Sequence, residues 1–317
     1  MRRFLARLLQ PLEAAAVLAF YGLFGLLPPA LSSAVAGRLM RTVGPFLKAH
    51  RVARRNIERA YPGIEATRVS AILDGIWDNL GRNIGEFPHL RTLLADPVSV
   101  ELQGQEILDA LLHEGRPVIF VGAHLANWEI APVVALRCGV AVDFVYRAPN
   151  NPWIDRLVSR RRVDPSGALI RKGAEGGRRV LAALKAGRSL GILVDQKLNE
   201  GIEARFFGRP AMTTPAFAQL ALRVGAPVVP VRFERLGGPR FRVTVEPPIQ
   251  ILATGDRAAD AAVLVQAVND RIEAWVRERP EQWFWVHRRW RETPSSDAPG
   301  GAPQPTEAAT GGSTSRN

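Results

Sequence analysis

His124 and Glu129 sit in the segment Gly122-Ala123-His124-Leu125-Ala126-Asn127-Trp128-Glu129, which directly follows the apolar run Pro117-Val118-Ile119-Phe120-Val121. An imidazole followed five positions on by a carboxylate is the material of a general base with an orienting partner. The carboxylate accepts a hydrogen bond from one ring nitrogen and fixes the tautomer, leaving the other nitrogen to take a proton from a hydroxyl. Asn127 is expected to cap a helix N-terminus, with Glu129 in the first turn where the dipole favours its anionic form. The zinc-protease pattern His-Glu-x-x-His is absent, no second histidine lies nearby in sequence, and neither a metal nor a cofactor is expected. A histidine at a strand end is often only a core residue, so the spacing alone leaves the catalytic reading open. Cys138, the sole cysteine, lies in the apolar run 133–138. It reads as a small core residue rather than a nucleophile, and it excludes a disulfide scaffold.

These residues need elements to hold them. Apolar β-rich runs at 117–122, 140–146 and 189–194 alternate with helical stretches at 128–138, 152–162, 175–186 and 214–224. Two late runs, 227–233 and 240–245, read as an antiparallel pair, and 258–278 as an amphipathic helix. The alternation predicts an α/β fold, a mixed central sheet flanked by helices. Ligands of such sheets bind beyond the carboxyl ends of the strands, where His124 falls.

The chain opens with Arg2, Arg3 and Arg7, followed by an apolar stretch over 14–27. Pro28-Pro29 interrupt it, a second apolar run covers 30–36, and Arg38 and Arg41 follow. The first run is short of the ~20 residues of a spanning helix, and a double proline breaks a longer one. A signal peptide, a buried core helix and a membrane-associating segment compete here. The flanking arginines favour the last, because their stems lie along apolar surface while their heads stay in water. Residues 46–95 read as helical, and 48–57 as a basic amphipathic stretch that suits either a solvated or a membrane-facing side. Residues 1–45 are thus expected to form an N-terminal membrane-associated helical segment and 46–293 the main domain. The tail 294–317, rich in Pro, Gly, Ser, Thr and Ala, is expected to be disordered.

A formal charge of +12 over 317 residues calls for an anionic partner. No recognisable nucleic-acid module is present, which leaves anionic lipid, phosphorylated substrates and acidic carrier proteins.

The segment Phe120 to Glu129 resembles the His-x4-Asp/Glu motif of the lysophospholipid acyltransferase superfamily. Its Asn-Trp-Glu ending resembles the lipid A late-acyltransferase branch, the lauroyl/myristoyl transferases. Further similar motifs follow in order: Tyr146-Arg147-Ala148-Pro149-Asn150-Asn151-Pro152, Val194-Asp195-Gln196, Phe206-Phe207-Gly208, Thr213-Thr214-Pro215, Val228-Val229-Pro230-Val231 and Pro280 to Trp290. The resemblance runs over about residues 5 to 291. It implies transfer of an acyl group from acyl-carrier protein to a hydroxyl of a lipid A precursor, in lipopolysaccharide biosynthesis, at the cytoplasmic face of the inner membrane. It further implies His124 as general base and Glu129 as its partner. Arg147 would hold a phosphate or a pantetheine arm, Arg162 stands at a functionally important arginine position, and Asp195 would orient a substrate hydroxyl or pair with an arginine. Asn127 and Gln196 complete the substrate-side set. The segment Lys197 to Gly201 departs from the Asp-Tyr-Gly that often follows in that branch. Acylation of another glycolipid such as a phosphatidylinositol mannoside, or of a glycerophospholipid, remains an alternative. So do a thioesterase, in which the same dyad activates water, and a non-catalytic lipid-binding adaptor.

Overall fold

The computed structural model describes residues 2–161 and 167–291. Helices come first: α1 (Arg2–Gly25), α2 (Pro29–Val43), α3 (Lys48–Ala60), α4 (Ala66–Glu86) and α5 (Leu90–Ala95). The alternating part then runs β1 (Val100–Gln103), α6 (Gln105–His113), β2 (Ile119–Gly122), α7 (Ala131–Arg137), β3 (Val142–Tyr146), α8 (Pro152–Arg161), β4 (Leu169–Arg171), α9 (Ala174–Lys185) and β5 (Ser189–Leu193). After these come β6 (Ile202–Phe206), β7 (Arg209–Thr213), α10 (Ala216–Val224), β8 (Val228–Gly237), β9 (Arg240–Val245) and α11 (Arg257–Glu278).

Seven strands form one sheet in the order β1-β9-β8-β2-β5-β3-β4, and β6 and β7 form a separate hairpin. All neighbours in the large sheet are parallel except β8 and β9. The sheet is mixed and covered by helices, as the sequence predicts, and the late antiparallel pair is β8–β9. The short strands β1 and β4, the hairpin strands β6 and β7 and the helix α6 are additions that the hydrophobic pattern did not suggest. The order sets β2 beside β5, with Gly122 opposite Leu193, so the residues that follow these two strands leave the sheet at the same edge.

The two faces of the sheet differ. Ile119 and Val121 of β2 point into the main core, formed with α3, α4, α9, α10 and α11, where Trp283, Trp285 and Trp290 are also buried. Phe120 lies on the other side, against Leu108 of α6 and Ala135 of α7. That second side is incompletely filled, and the space left there is the cavity described below.

At the N-terminus, Pro29 occupies the first turn of α2, the helical position where a missing N–H does no harm. The double proline thus ends one helix and begins the next. Among the described residues no helix is long and apolar enough to cross a membrane. α2 lies along α4 at a distance only glycine allows: a Cβ on Gly81 would stand 2.3 Å from the carbonyl oxygen of Ala36, and one on Gly85 2.6 Å from that of Ser32. The predicted disordered tail, 294–317, and Arg162 lie outside the described residues.

Candidate active site

β2 ends at Gly122, and the chain then turns sharply through His124 to Asn127. Asn127 Oδ1 accepts the backbone N–H of Glu129 at 3.1 Å. The capping role expected of Asn127 is therefore filled, for a single 3₁₀ turn over Trp128–Ile130 that leads into α7. The other end of the side chain donates to Glu86 Oε2 at 2.8 Å, and Asn127 is fully buried. It holds the loop from within, and the expectation that it faces substrate is corrected: both of its polar ends are spent inside the protein.

The carboxylate on the His124 ring is Asp195. Asp195 Oδ1 lies 2.7 Å from His124 Nδ1, so the ring carries its proton on Nδ1 and donates it. Asp195 Oδ2 accepts the His124 backbone N–H at 2.9 Å and the Trp283 indole N–H at 2.8 Å. Sequence reasoning assigned this role to Glu129 and gave Asp195 a substrate hydroxyl or an arginine. The sheet order explains the correction. Asp195 follows β5 as His124 follows β2, and those strands are neighbours. Asp195 is only 1% exposed, so it cannot reach a substrate directly. Burial alone would raise its carboxyl, but the charge and hydrogen bonds of His124, with the charge of His287, outweigh it and hold the group well below the usual carboxylate range.

With Nδ1 protonated, Nε2 of His124 carries the lone pair. Gln196 Nε2 stands 3.3 Å from it, and the imidazole is flanked by Trp128 and Phe284, with ring centroids at 5.0 and 5.8 Å. His124, Glu129, Arg147 and Gln196 all line one cavity of about 400 Å³. Lys172 also lines it, and its apolar walls include Leu108, Phe120, Val140, Val142, Phe144 and Val243. Cys138 also lies on this wall, half-buried, and burial pushes its thiol up. A raised thiol keeps its proton, which fits a packing residue rather than a nucleophile.

Of the residues predicted from sequence, the fold therefore brings together His124, Glu129, Arg147, Asp195 and Gln196. Residues passed over include Trp283, which anchors Asp195, and Lys172 at the rim. His287 was also passed over: its Nδ1 donates to the Phe284 carbonyl at 2.7 Å and its charge acts on Asp195. The signal for Trp283 was present in the Pro280 to Trp290 motif, since the chain at 282–284 runs beside the His124 loop. Leu125 bridges Trp283, and the Phe284 N–H donates to the His124 carbonyl at 3.0 Å. Arg289 is fully buried on Met212 O and Thr213 Oγ1, which makes it a packing residue of that segment. Among the described residues no group of His, Cys, Asp and Glu could hold a metal ion.

A buried carboxylate fixing an imidazole tautomer, with the free nitrogen at the mouth of an apolar cavity, is an arrangement for deprotonating a hydroxyl beside an apolar chain. The lipid A biosynthesis palmitoleoyltransferase of Escherichia coli (strain K12) is 25% identical over 265 residues, covering 80% of this chain and 83% of that protein. The lipid A biosynthesis myristoyltransferase of the same organism is 25% identical over 272 residues, 82% of this chain and 81% of the relative. The phosphatidylinositol mannoside acyltransferase of Mycobacterium tuberculosis (strain ATCC 25618 / H37Rv) is 24% identical over 247 residues, 75% and 76% of the two chains. The family model for bacterial lipid A biosynthesis acyltransferases matches residues 1–292; the chain belongs to that family, and it is an acyltransferase.

Proposed function

We propose that this chain transfers a fatty acyl group from the thioester of acyl-carrier protein to a hydroxyl of a lipid A precursor, with His124 as general base and Asp195 as its orienting partner. The observation that carries this reading is the fixed tautomer. Asp195 Oδ1 accepts the hydrogen bond of the Nδ1–H at 2.7 Å, and Nε2 meets Gln196 on the lining of the cavity. In the reaction Nε2 accepts the acceptor's hydroxyl proton as the oxygen attacks the thioester carbonyl. The tetrahedral intermediate then collapses, the carbon–sulfur bond breaks, and the imidazolium returns its proton to the departing thiolate. No protein nucleophile is needed. The apolar depth of the cavity suits the acyl chain, since each buried methylene contributes ~0.8 kcal/mol. Glu129 lines the same cavity.

The acceptor is an amphiphile, and the surface of the first two helices suits meeting it at a bilayer. Leu12, Leu18, Leu23 and Leu26 of the α1 end and Leu31, Val35 and Leu39 of α2 are exposed, as is Phe46. Arg38, Arg41 and Arg51 lie near them in sequence and are only part-buried or exposed. Exposed apolar side chains beside arginines are what an interfacial helix presents to an anionic membrane. We propose that this face meets the inner membrane from its cytoplasmic side.

The test supplies the full chain with acyl-carrier protein bearing a labelled acyl thioester, and with acceptor in anionic vesicles. The expected result is a lipid product heavier by one acyl group, with the enzyme sedimenting with the vesicles. Release of free fatty acid at the same rate without acceptor would make it a thioesterase and overturn the proposal. The M. tuberculosis relative favours a second reading, acylation of a phosphatidylinositol mannoside, and the same assay with that acceptor separates the two.

Arg147 and Lys172 stand at the rim beside the base. Loss of water at the cavity wall lowers the Lys172 amine, the charge of Asp195 raises it, and that of Arg147 lowers it again. A second cation next to Arg147 suits a phosphate of donor or acceptor. Lys172→Ala is expected to raise KM several-fold with kcat nearly unchanged, and the effect should shrink as salt screens the rim over about 10 Å. An unchanged KM at low salt would remove Lys172 from the binding surface.

A further inference from the structure

Ala126 has φ of 48°, and with Phe207 it is one of two non-glycine residues in the left-handed region among the described residues. For an L-residue with a Cβ this region is unfavourable, so surrounding contacts must impose it. The contacts are specific. The Ala126 N–H donates to the Gln282 carbonyl at 2.9 Å. Its own carbonyl accepts two side-chain amides, Asn83 Nδ2 at 2.5 Å and Asn79 Nδ2 at 3.1 Å.

The amides are themselves held. Asn79, Asn83 and Glu86 recur on one face of α4 and meet Arg235 of β8. Arg235 Nε donates to Asn79 Oδ1 at 2.9 Å and Nη2 to Asn83 Oδ1 at 2.6 Å. The guanidinium also pairs with both oxygens of Glu86, and Glu86 in turn accepts from Asn127 at 2.8 Å. A guanidinium has donors only. It therefore takes the oxygen of each asparagine and leaves each NH₂ aimed at Ala126. All five side chains, with Gln282, are buried. None of them touches the cavity, and the reaction described above uses none of them.

We propose that Asn79 and Asn83, oriented by Arg235 and Glu86, are positioning residues for His124. By gripping the Ala126 carbonyl they hold the turn that sets the imidazole with Nδ1 on Asp195 and Nε2 towards the cavity. This rests on His124 being the base. Misplacement of a reacting group by about 1 Å costs on the order of 10²-fold, which sets the size of the effect.

The experiment measures kcat, KM and thermal unfolding of Asn83→Ala, Asn79→Ala and His124→Ala, together with the low-field proton resonance of the His124 Nδ1–H. Either asparagine variant should lose at least ~10-fold in kcat at a temperature where it is fully folded, with KM within about twofold of the parent, and its Nδ1–H resonance should shift or broaden. Asn79→Ala removes the longer of the two bonds and serves should Asn83→Ala fail to fold. A lower melting temperature with unchanged kcat and an unmoved resonance would reduce these residues to ordinary core polar groups and overturn the proposal. A fully active His124→Ala would instead overturn the base assignment, so the two failures are distinguishable.

Discussion

Asp195→Asn is expected to lower kcat by on the order of 10²–10⁴-fold while leaving KM nearly unchanged. The side chains are almost the same size and the site is buried, so the shape of the pocket is kept. What changes is the proton arrangement. An asparagine can present NH₂ to Nδ1, which then becomes the acceptor, and the ring must carry its proton on Nε2, where it cannot take one from a hydroxyl. The backbone N–H of His124 and the indole of Trp283, which now donate to a carboxylate at 2.9 and 2.8 Å, lose charge assistance as well. Glu129→Gln, on the cavity wall, is expected to cost less. Near-normal turnover by Asp195→Asn together with an inactive Glu129→Gln would return the orienting role to Glu129. The pH dependence carries a second check. The folded-state pKa of Asp195 is depressed. Its contribution to stability is therefore fully present above the unfolded value of about 3.9 and is lost progressively as pH falls from there through the lower folded value. The parent should begin to lose that part of its stability where ordinary carboxylates titrate, because the unfolded chain takes up the proton first. Asp195→Asn removes the contribution, so the stability difference between the two proteins should narrow as acid protonates Asp195 in the parent.

The contact of His124 with Asp195 shows where sequence reading stops. A histidine at a strand's carboxyl end was legible because β2 is an unbroken apolar run with a turn after it. Its partner was sought locally, five positions on, because local spacing is the only distance a sequence displays. Asp195 is 71 residues away and meets His124 only because β5 is placed next to β2. That placement follows from strand order, which hydrophobic periodicity does not encode. The same limit hid Lys172, which follows β4, and left β1 and β4 unseen, since strands of four and three residues carry too few alternations to stand out. Asn127 was legible as a cap because capping is local chemistry. Its second bond, to Glu86, was not. The N-terminal apolar runs were legible as helices broken at Pro28-Pro29. Gly81 and Gly85 are the places where α2 presses on α4.

That contact brings the N-terminal helices to the His124 loop. Ser33 of α2 donates to Glu86 Oε1 at 2.6 Å, and Glu86 also holds Arg235 and Asn127. The exposed apolar side of α1–α2 and the turn at Ala126 are therefore joined through one buried carboxylate, and any shift of α2 on α4 reaches the loop by way of Glu86.

Removing that carboxylate should have the largest effect on stability of any single change in the site's surroundings. Glu86→Ala leaves a guanidinium sealed beside two asparagine oxygens with no counter-charge. A buried pair broken from one side costs about 3–5 kcal/mol, which urea unfolding of the parent and the variant would measure. The penalty comes mainly from the unpaired charge rather than from the lost attraction, so taking away both charges should relieve it. Glu86→Leu combined with Arg235→Met fills similar volume with apolar atoms and should recover most of the lost stability. Turnover is expected to behave differently. Without Arg235 nothing dictates which end of Asn79 and Asn83 faces Ala126, and without Glu86 the Asn127 amide loses its acceptor. The double variant should therefore fold well and still turn over on the order of 10²-fold more slowly. A double variant that regained stability and full turnover together would mean that the loop holds its geometry unaided, and that the buried pair contributes only to the fold.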